Sequence, residues 1–149
     1  MNYSCQYTEY GSDYYLQARA LRERVFYFPV GLTADAVLDD SETRSAHIVA
    51  IDQETGQVVG SVSLNTDNEA AQIIGLVVVE DLRKHGVASA LIRLLFQKAQ
   101  SLGFSRVWLN ARVTAVGFYK KHGFITIGEE FPSRLTGVPT IRMECDLSA

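Results

Sequence analysis

Cysteine is scarce in this chain. Its 149 residues hold two, Cys5 and Cys145, near opposite ends and without the close-spaced partner that a metal knuckle or a redox pair needs. Both are expected as buried reduced thiols, since a disulfide between them requires the terminal strands to lie side by side. Proline is nearly as rare, at three residues, and each falls in a segment read below as a loop or a helix stop. There is no excess of positive charge: 14 basic against 17 acidic residues give a net charge of -3. That balance supplies no global electrostatic reason to bind nucleic acid or an anionic membrane, so any anion site must be local. No apolar run approaches the roughly 20 residues of a membrane span. The residues Met1-Asn2-Tyr3-Ser4-Cys5 lack the basic-then-apolar order of a secretory signal, and a cytoplasmic location is expected. Internal repeats, low-complexity tracts and linkers are also missing. One domain over residues 1–149 is the expectation.

What is present suits a chain that folds unaided, with 47% hydrophobic and 21% charged residues. Residues 5–9 read as a strand. Residues 12–26 read as an amphipathic helix with Ser12 as N-cap and Tyr15, Leu16, Leu21 and Val25 as its apolar positions, stopped by Pro29 and Gly31. Residues 28–45 are irregular or weakly helical and carry Asp35, Asp39, Asp40 and Glu42; connections this long are often binding loops. Residues 46–52 and 57–64 form a hairpin across Gln53-Glu54-Thr55-Gly56. After a turn at Asp67-Asn68, residues 71–79 make a near-continuous apolar run typical of a strand buried on both faces. Gly75 interrupts it, marking a bulge or the close approach of a backbone or ligand. Val87, Leu91, Leu94, Leu95 and Leu102 recur at helical spacing over 86–102, closed by Gly103. A strand at 107–109, a short helix at 115–121 capped by Gly123, and strands at 124–127 and 140–147 complete the chain. The order β-α-(α)-β-β-β-α-β-α-β-β describes an α/β (α+β mixed) fold: a central mixed sheet with helices on both faces.

The chemistry is most legible where the run 71–79 passes through Glu80-Asp81 into Arg83-Lys84-His85-Gly86-Val87-Ala88 and the long helix. A helix start leaves about four backbone N–H groups without intrahelical partners and carries about half a positive charge, which favours a phosphate. Gly86 and Ala88 keep side chains out of a diphosphate's way, while Arg83 and Lys84 add charge-assisted hydrogen bonds. A P-loop is excluded because no Gly-Lys-Ser/Thr follows, and a dinucleotide fingerprint because the paired early glycines are missing.

The same residues, with Leu76-Val77-Val78 before them, resemble the strand and the Arg/Gln-x-x-Gly-x-Gly/Ala loop of the GNAT superfamily of acyl-CoA-dependent N-acetyltransferases. Farther on, Phe118-Tyr119-Lys120-Lys121-His122-Gly123-Phe124 is similar to that family's second signature, and Gly137-Val138-Pro139-Thr140-Ile141-Arg142-Met143 to a subgroup of small bacterial members. The resemblance implies acetyl-CoA as acyl donor and no metal. It assigns cofactor contacts to Val77, Val78, Arg83, Lys84, His85, Gly86, Val87, Ala88, Asn110 and Tyr119, with Tyr119 as general acid for the leaving thiolate. A neutral primary amine, on a small molecule or a peptide, attacks the thioester while a backbone N–H near Val78 stabilises the oxyanion.

A base for that amine is not obvious. Glu23, Asp39, Asp40, His47 and Glu130 are conceivable, though each reads first as a solvated or structural residue. His85 and His122 fall in turns and are expected to face solvent, His85 within reach of a phosphate. Acceptor pockets are expected from 28–45 and 129–139, where Asp35, Asp39, Asp40, Glu42, Glu129 and Glu130 suit a cationic amine. The C-terminal strand is a candidate edge for a homodimer. Two alternatives stand beside the enzyme: a catalytically silent acyl-CoA-binding or sensing module, and a purely structural interaction domain.

Overall fold

The structure is a computed structural model that describes residues 2–83 and 85–148. Strand β1 (Tyr3–Thr8) leads to helix α1 (Asp13–Arg22), whose N-cap Ser12 accepts the Tyr15 N–H at 3.1 Å. The helix is shorter than the pattern 12–26 suggests. After Arg22 it widens into a π-helical turn, Glu23–Tyr27, and then tightens to a 3₁₀ turn, Phe28–Val30. Pro29 sits at the start of this 3₁₀ turn, where its missing N–H is tolerated, and Gly31, at φ 77°, ends it. The long connection that follows is organised by local caps. Thr33 caps the short helix α2 (Ala34–Val37) and Asp39 caps a 3₁₀ turn at Asp40–Thr43.

Strands β2 (Ala46–Asp52), β3 (Val58–Asn65) and β4 (Ala71–Val78) follow as an antiparallel meander, and helix α3 (Val87–Ser101) crosses over to β5 (Arg106–Arg112). Helix α4 (Val116–Lys121) and strands β6 (Ile125–Pro132) and β7 (Pro139–Asp146) complete a seven-stranded sheet of order β1-β2-β3-β4-β5-β7-β6. Among the described residues the one parallel pairing is β4 with β5. The C-terminal strand is therefore not an edge, contrary to expectation. It inserts between β5 and β6, and β6 is the edge, exposed at every residue.

Alternation along β2 shows how the sheet is covered. Ile48 and Ala50 join the main core under α3, whereas Val49 and Ile51 join a smaller cluster with Ala18 of α1 on the opposite face. With helices on both sides, β3 is buried at all eight positions. Helix α3 buries Val87, Leu91, Ile92, Leu95 and Ala99. Each of the three larger side chains contributes about 2 kcal/mol by leaving water. Leu94 is only half-buried and Leu102, at the C-cap, is 50% exposed, while Ile92 and Ala99, absent from the expected stripe, are buried. The thiols are both free. Cys145 is buried but Cys5 only partly so, and four strands separate β1 from β7. Among the described residues no helix is long and apolar enough to cross a membrane.

Candidate active site

β4 and β5 run together only where they begin. Ala71 pairs with Val107 and Gln72 with Trp108, after which the strands part toward their carboxyl ends. On the other side of β4 the register with β3 shifts between Ser61 and Ser63, so Gly75 and Leu76 both stand against Val62. Gly75 has φ 69°, a conformation open to glycine, and the resulting bulge bends β4 away from its neighbour. The Val79 N–H donates to the Val59 carbonyl at 2.8 Å, on the β3 side. By strand alternation Val78 turns its N–H the other way, into the gap that β5 leaves.

Helix α3 starts at the same end. Its N-cap is Gly86, with φ 82° and no side chain capping the first turn. A Cβ there would meet nothing nearer than the Tyr3 hydroxyl at 3.8 Å. The left-handed backbone by itself calls for glycine here. Arg83 and His85 are exposed beside this turn, Val87 is a core anchor and Ala88 is half-buried. Lys84 lies outside the described residues.

Tyr119 comes from α4, at the carboxyl end of β5. It is 9% exposed, edge-on to Phe118 and Phe124 at 5.2 and 5.5 Å between centroids. Burial pushes its phenol up to about 12. His122 does not face solvent as expected. It is half-buried against Phe118 at 4.8 Å, and its Nε2 shares a hydrogen bond of 3.0 Å with the Ser89 hydroxyl. Burial first, and Arg93 second, hold its pKa below the ordinary histidine value. That bond ties α4 to the first turn of α3, so the two motifs singled out in the sequence meet at one site.

Between the parted strands lies a cavity of about 240 Å³ lined by Gly75, Leu76, Asn110, Arg112 and Tyr119, with Phe26 and Tyr27 delivered by the π-helical turn. A second depression of about 470 Å³ adjoins it through Asn110, Ser133 and Thr140, walled by Val37, Asp39 and Arg134. The segments 28–45 and 129–139 thus come together as expected. A larger groove of about 720 Å³ lies between α1 and the segment 79–82 that follows β4, lined by Gln17, Arg24, Asp52 and Glu80 among others.

Neither a carboxylate nor a histidine lines the 240 Å³ cavity among the described residues. Glu23 accepts the Ala34 N–H at 2.6 Å. Asp40 pairs with Arg44 at 3.4 Å, and Glu130 is exposed on β6. Asp39 accepts from the Ser41 N–H and hydroxyl, which hold its carboxyl below the usual range. His47 is buried with both ring nitrogens engaged, Nδ1 with the Ser63 hydroxyl and Nε2 with the Glu42 carbonyl, each at 2.7 Å. A carbonyl only accepts, so Nε2 carries the hydrogen. The acidic loop is also not the free negative surface that the sequence suggested. Asp35 is paired with Arg19, and Glu42 is buried, receiving Arg22 Nη1 and the Tyr15 hydroxyl at 2.8 Å each.

Sequence reasoning missed this Arg22–Glu42 pair and the cleft residues Phe26, Tyr27 and Arg112. Arg22 had a visible signal: it stands seven residues after Tyr15, on the helix stripe that also holds Ala18, where a charge needs a buried partner. Arg112 had none, because it alternates outward on a strand whose partner strand departs. Among the described residues no group of three or more metal-ligating side chains is clustered to hold an ion.

Comparison with known proteins agrees with this geometry. The model of the acetyltransferase (GNAT) family matches residues 9–124, which include the meander, α3 and Tyr119. The uncharacterized N-acetyltransferase YjcF of Bacillus subtilis (strain 168) is 32% identical over 127 residues, covering 85% of this chain and 88% of that protein. The crystal structure of Escherichia coli ElaA superposes with a TM-score of 0.78 at 21% identity over 98% of this chain and 100% of that one. An aminoglycoside 6'-N-acetyltransferase solved in complex with coenzyme A gives 0.73 at 16% identity over 97% of each chain. Both solved structures share the fold, and the family match over most of the chain with the bacterial relative establishes the rest: this chain belongs to the GNAT family of acetyltransferases.

Proposed function

We propose that the protein transfers an acetyl group from acetyl-CoA to a primary amine by direct attack. The observation that carries the reading is the parting of β4 from β5 beside the uncapped start of α3, with Tyr119 in the gap. Coenzyme A would lie in that gap, its pantetheine arm on the free edge of β4 at Val77 and Val78 and on Asn110. Its diphosphate would lie on the N–H groups at Val87 and Ala88, with Arg83, Lys84 and His85 adding side-chain donors around Gly86. A solved relative of the same fold carries coenzyme A, in keeping with this placement.

In the reaction the amine nitrogen attacks the thioester carbon, the C–N bond forms and the C–S bond breaks. The Val78 N–H faces the oxyanion that develops; one such donor is worth roughly 3 kcal/mol. Sulfur leaves as a thiolate. With the Tyr119 phenol at about 12, full proton transfer to a thiolate whose acid has pKa about 8.5 is uphill by about 5 kcal/mol. Tyr119 therefore works as a hydrogen-bond donor that strengthens as charge gathers on sulfur, and the proton itself comes from water.

The absence of a carboxylate or histidine on the described cleft wall supports a second reading, an acyl-CoA-binding module without turnover. Thiol release from acetyl-CoA, measured across a panel of amines, separates the two. Turnover on any amine establishes the transferase. Calorimetric binding of acetyl-CoA without thiol release on any acceptor establishes the module.

A further inference from the structure

The arginines of this fold divide into two kinds. Arg19, Arg22, Arg44, Arg106 and Arg142 each stand within ion-pair distance of a carboxylate. Arg24, Arg83, Arg93, Arg112 and Arg134 do not, among the described residues, and of these Arg112 is the half-buried one, lining the cavity that also holds Tyr119. Its guanidinium lies 4.8 Å from the centroid of Phe26, a lining residue of the same cavity. Stacking on a ring fixes the plane of a guanidinium without using its N–H donors, which stay free for an in-plane partner. A half-buried cation facing a cavity with no anion on its walls is an electrostatic vacancy suited to an anionic ligand group. The adjoining depression carries both signs: Arg134 is exposed on its wall without an ion-pair partner among the described residues. The one acid there, Asp39, is already bonded to Ser41.

Asp35, Asp40 and Glu42 are paired with Arg19, Arg44 and Arg22. Asp39 stays a carboxylate held by Ser41 in the adjoining depression, and on the described wall of the 240 Å³ cavity the charge is that of Arg112.

We propose that the acceptor is a small amine that carries a carboxylate, and that Arg112 receives that carboxylate and so sets which amines are acetylated. The inference rests on the transferase reading above and narrows it to amino-acid-like acceptors. A guanidinium binds a carboxylate through two parallel N–H donors, which fixes the position of the group and of the amine beyond it. The carboxylate takes no part in the bond changes. The neutral amine forms the C–N bond, its surplus proton leaves to water, the C–S bond breaks, and the thiolate is protonated from solvent.

The test compares matched acceptors that differ only in this group: α- and ω-amino acids, each beside its carboxamide, followed by thiol release. At least one acid should exceed its amide tenfold or more in kcat/KM. Arg112→Gln should bring that ratio close to one by raising KM for the acid, and Arg112→Lys should keep part of the preference. KM for acetyl-CoA should stay where it was in both variants. Amides used as well as or better than every acid overturn the proposal in the unaltered protein, whatever the variants do. A preference that survives Arg112→Gln, or a variant whose defect lies in acetyl-CoA binding, also overturns it. Thiol release with amides alone leaves the transferase standing and removes only the acid preference. Bound acetyl-CoA with no thiol release on any acceptor removes both.

Discussion

Substituting Gly75 by alanine tests the local device that opens the cleft. An ideal Cβ at this position would lie 2.7 Å from Arg22 Nε and 3.1 Å from its Cζ. Such a contact is harmless when the neighbour is a loose side-chain end, but here it is not. The Arg22 side chain is 3% exposed and bonded to Glu42, itself 5% exposed, at 2.8 Å. Among the described residues its Nε and Nη2 have no hydrogen-bond partner, so the bond from Nη1 to Glu42 is what compensates the buried charge. A methyl group at Gly75 pushes the guanidinium off its partner, and separating a buried pair costs about 3 kcal/mol. The φ of 69° adds about 1 kcal/mol for any L-residue. Gly75→Ala should therefore lose about 4 kcal/mol in urea unfolding, read as a lower midpoint at unchanged slope. Gly103→Ala is the control, since φ there is 87° and a Cβ meets nothing within 4 Å. It should lose only about 1 kcal/mol, from the backbone alone. Repeating Gly75→Ala in an Arg22→Ala, Glu42→Gln background, where no guanidinium is present, should reduce its cost to that of the control. Equal losses at Gly75 and Gly103, or an undiminished loss in the double background, would refute the coupling between bulge and ion pair.

Two further outcomes test the cofactor end. Tyr119→Phe should lower turnover while leaving acetyl-CoA affinity nearly intact. Because a raised pKa keeps the phenol protonated to higher pH, the unaltered enzyme should show no loss of turnover from Tyr119 until pH approaches about 12; an alkaline limb near pH 10 that vanishes in Tyr119→Phe would show the phenol is not held up. Arg83→Ala should weaken coenzyme A more than a dephosphorylated pantetheine analogue in calorimetry, and equal losses for both would remove the diphosphate assignment.

What could be read in the sequence follows from how each part of the site is built. The proposed cofactor end is made mostly of backbone: a strand edge freed by a bulge, and the first turn of a helix. Backbone geometry leaves local marks, because a glycine inside an apolar run and a glycine before a periodic helix are both visible without knowing the fold. The bulge at Gly75 and the start of α3 at Val87 were legible for that reason. The order of strands was less so, since nothing local tells β7 to insert between β5 and β6, and the pairing edge was misplaced accordingly.

The acceptor end is made of side chains brought from distant segments, and its charge depends on which ions find partners. Composition counted the acids of 28–45 as free negative charge. Folding couples Glu42 to Arg22 across 20 residues and Asp35 to Arg19 across 16, and leaves Arg112 over Phe26 instead. Pairing across such separations has no sequence period, so the sign of a loop cannot be taken from its residues alone. The positive wall at Arg112 emerges only when Asp35, Asp40 and Glu42 have been assigned to their cations. The same accounting explains why none of the conceivable bases of this region faces the cleft: Glu23 and Asp40 are engaged within the 23–45 connection, Asp39 caps one of its turns, His47 has both ring nitrogens bonded, and the fold that places Tyr119 in the cleft keeps all four off the described wall of its cavity.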